Sequence, residues 1–209
     1  MTRPTRWETE TADSHSDWYV EHFRGLVAEG ADLEGEARLL DAMLPRRARV
    51  LDGGCGQGRT GGALHHLGHT VVGVDADPVL IEAARVDNPG PEWIVADLAD
   101  LDLTERGVTE PFDAAVLAGN VMSFVAPGTE ADVLRRVFAH LTGTGFLVTG
   151  FHLTMCDLTT FDAAVADAGL RIRQRFATWD LKPWPGDEVA LDDETTDFCV
   201  TVVERGERD

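Results

Sequence analysis

The chain has 209 residues, enough for one domain with a sizeable core, and its 44% apolar share is ordinary for a globular protein. A formal net charge of −19 argues against attraction to nucleic acid or to an anionic membrane surface. No apolar run is long enough to span a bilayer and the first residues hold no apolar leader segment, so a cytoplasmic protein is expected.

Residues 1–15 read as a loose polar arm, and residues 16–209 as a single domain in which helices over 16–45 precede an alternating core over 46–209. Ser16 is the expected cap of a first helix with Tyr19, Phe23, Leu26 and Val27 on its apolar stripe. A second helix over 33–44 stops at Pro45. Strands are expected over 49–52, 71–75, 93–96, 112–118 and 145–151, with helices between them. Asp77-Pro78 gives a cap followed by a first helical proline, and Thr129 with Asp132 resembles a capping box. After a helix over 160–168, residues 170–178 alternate apolar side chains with arginine, as an edge strand does. A last strand over 197–204 should pair with it antiparallel, because no helix separates them. The acidic loop over 179–196, with Trp179 and Trp184, leaves the ligand face of the sheet, where it covers the pocket or patches the hairpin. The pattern as a whole is an α/β, Rossmann-like, doubly wound and mostly parallel sheet.

The stretch over 49–62 is a buried strand running into a turn dense in glycine, followed by a helix. Such a turn lets a ligand approach the backbone, and the helix aims its unpaired N–H groups at it. Two registers fit. Gly56-x-Gly58-x-x-Gly61 satisfies a dinucleotide fingerprint, and Asp52-x-Gly54-x-Gly56-x-Gly58 satisfies the first motif of methyltransferases that use S-adenosylmethionine (SAM). Charge separates them. Asp52 at the strand end opposes a pyrophosphate but favours the sulfonium and ammonium of SAM. In the dinucleotide register, residues 52–55 would also intervene between the strand and its first glycine.

Five strand ends carry polar or glycine residues: Asp52 with its glycines, Asp75, Asp97, Asn120 and His152. Ligands in such sheets sit at these carboxyl ends. Asp75 follows the glycine turn by about twenty residues, the spacing at which an acid meets a ribose diol. Asp97 ends the third strand, where an adenine amino group needs an acceptor. Ala76, beside Asp75, and Gly119, beside Asn120, complete the candidate cofactor set.

Val-Leu-Asp-Gly-Gly-Cys-Gly-Gln-Gly, Val-Gly-Val-Asp and Ala-Asp-Leu, in that order, resemble the motifs of class I SAM-dependent methyltransferases, over nearly the whole chain. The pattern is similar to small bacterial enzymes of the tellurite-resistance-like and metabolite-modifying kind. The resemblance implies a seven-stranded sheet with an antiparallel last strand, and SAM as cofactor. It implies that Gly54, Gly56 and Gly58 line the cofactor, that Asp52 sits near the methionine amino end, that Asp75 holds the ribose, and that Asp97 with Leu98 meets the adenine. It also makes Tyr19 a cofactor candidate, because the first helix often folds over the ligand in this family. Gly53 departs from the pattern, where an alanine or larger aliphatic is common, and Gly61 with Gly62 should loosen the helix start.

The methyl acceptor is not named by the resemblance. The Asn/Asp-Pro-Pro-aromatic run of base-modifying methyltransferases is missing after the fourth strand, where the chain reads Gly119-Asn120-Val121-Met122-Ser123-Phe124. A small-molecule acceptor is therefore expected, with Asn120, Met122 and His152 as acceptor-side candidates and no nucleic-acid or membrane partner. Alignment of the reactants should suffice for catalysis. His152 is the one side chain at a strand end that could act as a base, and its ordinary role would be to cap loop backbone. Cys55, Cys156 and Cys199 form neither a disulfide framework nor a zinc pattern, and Cys55 reads as packing. His65, His66 and His69 read as helix-end histidines rather than metal ligands. The alternatives are a SAM-binding protein without transferase activity and a nicotinamide-dependent oxidoreductase.

Overall fold

The computed structural model describes residues 3–12, 14–186 and 197–206. Its strands are β1 Arg49–Gly53, β2 Thr70–Asp75, β3 Glu92–Val95, β4 Phe112–Leu117, β5 Leu141–His152, β6 Leu170–Phe176 and β7 Phe198–Arg205. They form one seven-stranded sheet in the order β3-β2-β1-β4-β5-β7-β6. The first five strands are parallel. β7 runs antiparallel between β5 and β6. β1, β2 and β4 are largely buried along their length because both of their faces are covered. β6 keeps its alternation because it forms the edge, where Arg171 reaches Glu204 on β7.

Helices α3 Gly35–Met43, α4 Arg59–His66 and α5 Pro78–Asp87 cover one face, packing on Val50, Val71, Trp93 and Val116. Helices α7 Glu130–Ala139 and α8 Leu158–Asp167 cover the other, around Leu51, Leu117, Phe151 and Phe161. The strand order reverses between β1 and β4, so the crevice for a ligand opens above their carboxyl ends. A short α6, Val121–Phe124, follows β4 at this point.

The N-terminal segment is not the loose arm expected over 1–15. It contains helix α1, Arg6–Glu10, with a complete capping box between Thr5 and Glu8. Thr5 is buried, Arg6 Nη1 donates to the Ser123 carbonyl at 3.2 Å, and Trp7 Nε1 donates to Asp77 Oδ2 at 2.9 Å. Helix α2, His15–Ala28, begins one residue before the expected cap. Ser16 therefore does not cap α2; its hydroxyl donates to Asp77 instead. The capping box expected at Thr129 and Asp132 does not form either. Thr129 Oγ1 donates backwards to the Ala126 carbonyl at 2.7 Å, which takes the hydroxyl away from the helix end. Asp77 does cap α5, accepting from Val79 N at 2.8 Å, with Pro78 as first helical residue.

The indole of Trp179 lies beside Gly150, where a Cβ would stand 2.5 Å from it, and Trp184 packs against the main core. Both tryptophans thus pack on the domain, and residues 187–196 of the expected cover lie outside the described residues.

Candidate active site

The turn after β1 takes three left-handed glycines, Gly54, Gly56 and Gly58, with φ of +64°, +55° and +80°. Side chains rarely adopt this region, and at Gly54 a Cβ would also stand 2.5 Å from Val121 Cγ2. The Cys55 N–H donates to the Val74 carbonyl at 3.0 Å and pins the turn to β2. Gly54 and Gly56 face the cleft, whereas Gly58 is buried beneath it as the N-cap of α4, against Trp93. Gly61 and Gly62 do not loosen the helix. A Cβ at Gly61 would stand 2.8 Å from Asp52 Oδ2, and one at Gly62 would stand 2.3 Å from Asn88 Oδ1, so both allow close packing of α4. Gly53 has a similar reason, since Leu98 Cδ2 lies 3.3 Å from where its Cβ would be.

Three acids stand at the strand ends. Asp52 is 1% exposed, and its Oδ2 accepts from Gly61 N at 2.8 Å. Burial pushes its pKa up to about 7; the Gly61 N–H and the Arg59 guanidinium oppose the rise, and the charge of Asp75 adds to it. Arg59 cannot neutralise the group fully because it is paired with Glu36, at 2.7 Å. Asp75 accepts from Gly56 N at 2.8 Å and from Asp77 N at 2.9 Å, and burial raises its pKa to about 6. Asp97 accepts from Ala99 N at 2.9 Å, and partial burial raises it too. Asp52, buried, and Asp75, half-buried, with no free cation among the described residues lining the site, prepare it for a positively charged ligand.

Asp75, Ala76, Asp97, Leu98, Gly119 and Asn120 line one cleft of about 490 Å³ with Gly54 and Gly56. Asp52 opens into a narrow annex of this cleft beside Tyr19, Arg59 and Gly119. Tyr19 stands over the turn, its ring 3.5 Å from where a Gly56 Cβ would be, and burial raises its pKa. Two acceptor-side candidates are placed elsewhere. Met122, in α6, is 1% exposed in the main core and borders a separate smaller cavity. His152 lies behind Asn120 and bonds it through its main-chain N–H. Sequence reasoning missed Trp7, Trp18 and Met155, which line the cleft together with Val121 and Phe124. Cys55 is buried in packing, and burial holds its thiol well above the usual range rather than lowering it. His69 is also buried, bonded to Asp41 at 3.1 Å.

A crystal structure of a TehB-like SAM-dependent methyltransferase from Corynebacterium glutamicum ATCC 13032 Kitasato superposes with a TM-score of 0.81 at 38% identity, covering 93% of this chain and all of the other. This chain belongs to the SAM-dependent methyltransferases. A family profile described as a methyltransferase domain matches residues 50–145. Two more distant structures share the fold: the CcbJ methyltransferase from Streptomyces caelestis (TM-score 0.66, 16% identity, 83% of this chain and 90% of the other) and the glycopeptide N-methyltransferase MtfA complexed with SAM (0.61, 11%, 82% and 94%). No curated protein sequence matches.

The residues of this methyltransferase suit SAM as its cofactor. Apart from His15, the ionisable side chains lining the main cleft are acids and Tyr19, which fits a cationic ligand and not a pyrophosphate. The sheet order and the antiparallel β7 agree with what the motif resemblance implied, and no described helix is long and apolar enough to cross a membrane.

Proposed function

We propose that the enzyme methylates a small molecule in the cytoplasm, with residues 16–209 acting as one catalytic domain closed over by α1. In this reading Asp52 meets the ammonium of the cofactor, Gly54 and Gly56 follow its methionine chain, and Gly58 supports the turn. Asp75 accepts from the ribose hydroxyls, Ala76 and Leu98 flank the adenine, and Asp97 accepts from its amino group. Gly119 and Tyr19 close the methionine side, and Asn120 faces the acceptor. The observation that carries the reading is that Asp75 and Asp97 line one cleft and Asp52 the narrow pocket beside it, with no unpaired arginine among the described lining residues of either. The same acidity, with the net charge of −19, disfavours a nucleic-acid acceptor. SAM supplies an activated methyl group, and the chain's own task is to align an acceptor with it and exclude water.

Titration calorimetry tests the reading. SAM and its demethylated product should bind, NAD should not compete, and Asp75→Ala should weaken SAM by about 1.5–3 kcal/mol, the loss of a charged hydrogen-bonding partner. Tighter binding of NAD than of SAM would refute the cofactor assignment.

A further inference from the structure

Behind the cofactor turn lies a second cavity, a groove of about 550 Å³ that shares no described lining residue with the main cleft. It runs between the C-terminal half of α2, the link over 31–34, α4 and the end of α5. Two of its residues, Gln57 and Arg59, also line the annex into which Asp52 opens.

Gln57 stands between Gly56 and Gly58 in the turn, and its main-chain carbonyl accepts from Asn88 Nδ2 at 2.9 Å. Its side chain has no such partner. The residue is 6% exposed, and Oε1 is buried without a hydrogen bond among the described residues. A buried amide oxygen left unpaired is costly, and folded chains hold few of them. What this one lacks is a donor.

The surrounding charges select the kind of donor. Arg24 is engaged by Asp87, with Nε and Nη2 on the two carboxylate oxygens at 3.0 Å each, and by Glu21 at 2.8 Å. Arg59 is engaged by both oxygens of Glu36, at 2.7 and 2.8 Å. Asp32 is held in the same two-pronged way by Arg38, at 2.8 Å. The carboxylate of Glu34 is exposed and has no hydrogen bond or ion pair among the described residues. The groove and the ion-pair partners of its residues thus carry five carboxylates against three guanidiniums, in a chain of net charge −19. His66 is the remaining titratable residue there, and Val27, Ala28, Ala31, Leu33 and Ala63 supply the apolar lining. N–H donors, positive charge and a short run of methylenes match these features together, and an alkylammonium group brings three donors and no acceptor.

We infer that this groove is a second ligand site, for a small aliphatic ammonium compound whose N–H satisfies Gln57 Oε1, and that its occupancy is coupled to that of SAM. The coupling runs through the two shared residues. Gln57 is flanked by left-handed glycines of the cofactor turn, so a partner for its side chain holds the turn in the conformation that SAM meets. Arg59 reaches from the groove to the annex and ties α4 to Glu36 of α3. Because the groove and the main cleft share no lining residue, the two ligands do not compete for space, and the coupling is positive. The site stands apart from any reading of the methyl acceptor, and its coupling alone rests on the cofactor assignment.

Titration calorimetry of the ligand-free protein at about 0.15 M salt tests the site with putrescine, its neutral counterpart butanediol and its anionic counterpart succinate. Putrescine should bind once per chain, and neither of the others should bind. Gln57→Leu removes the acceptor oxygen and should weaken putrescine about tenfold, whereas Gln57→Glu keeps such an oxygen and should retain binding. Ala28→Trp fills the groove from its exposed side and should abolish binding with an unchanged midpoint of thermal unfolding. Saturating putrescine should tighten SAM about threefold, and SAM should tighten putrescine by the same factor. Undiminished binding in either Gln57→Leu or Ala28→Trp would mean attraction to net charge alone and would overturn the site, as would absence of putrescine binding or equal binding of butanediol. Putrescine binding that leaves SAM affinity unchanged would overturn the coupling. Failure of SAM to bind, where putrescine binds and responds to Gln57→Leu, would strike the cofactor reading and leave the site standing.

Discussion

Asp52 and Asp75 make cofactor capture a proton-linked event. Both acids ionise less readily in the empty folded site than in an unfolded chain, with pKa values of about 7 and about 6. The folded protein therefore holds more protons than the unfolded one between about pH 4 and about pH 7, and the ligand-free enzyme loses stability as pH rises through that window. A bound cation favours the carboxylates, so SAM affinity should rise over the upper part of the same window and level off above about pH 7. Calorimetry in buffers of different ionisation enthalpy should detect proton release on binding, and Asp52→Asn should abolish most of it. Gly61→Ala should destabilise the fold by about 1–3 kcal/mol in denaturant unfolding, because its Cβ would press on Asp52 Oδ2 and on Trp93 at 2.9 Å. At this scale the gathering of the acids and glycines around one cleft was legible in the sequence, since strand ends recur at spacings the chain itself records. The contact of His152 Nδ1 with Asp197 Oδ1, at 3.0 Å, was not legible. Forty-five positions separate the two residues, and only the insertion of β7 beside β5 brings them together.

Among the elements, α1 was the least expected and is the easiest to test. It buries no residue of its own, yet Trp7 bonds Asp77 and stands edge-on to Tyr19 and Phe124, at centroid separations of 5.7 and 5.3 Å. Trp7→Ala should leave the unfolding midpoint nearly unchanged while SAM dissociates about tenfold faster in stopped-flow fluorescence, the loss of about 1.4 kcal/mol from aromatic contacts and one hydrogen bond. An unchanged dissociation rate would show that α1 does not close the site. The two capping boxes show why sequence patterns succeed or fail here. Thr5-x-x-Glu8 forms the motif in full, in a segment whose polarity and terminal position suggested no structure. Thr129-x-x-Asp132 has a similar pattern, but its hydroxyl finds the Ala126 carbonyl first. Local competition for one hydrogen bond decides between them, and residue spacing does not record it. The main strands were legible because an apolar run bounded by glycine or acid has few other uses in a chain of this composition.

For the molecule as a whole, a net charge of −19 is a source of self-repulsion that salt relieves. Raising the ionic strength from about 0.02 M to about 0.3 M should increase the midpoint of thermal unfolding by about 2–4 °C for each kcal/mol of repulsion removed. A midpoint that falls with salt would mean that ion pairs such as Arg59–Glu36 outweigh the repulsion. The sheet order also sets when the protein can be completed during synthesis. β7 lies between β5 and β6 and buries Cys199, Val200, Val202 and Val203. Until residues 198–205 leave the ribosome, β5 has an open edge and β6, already made, has no neighbour to pair with. The nascent chain must therefore carry the last two of its seven strands unpaired while the five parallel strands and the cofactor turn, encoded upstream, are already available to form. Completion of the β5-β7-β6 edge is in this sense a single late event, and a stalled chain lacking β7 would present the exposed strand edge that quality-control factors recognise.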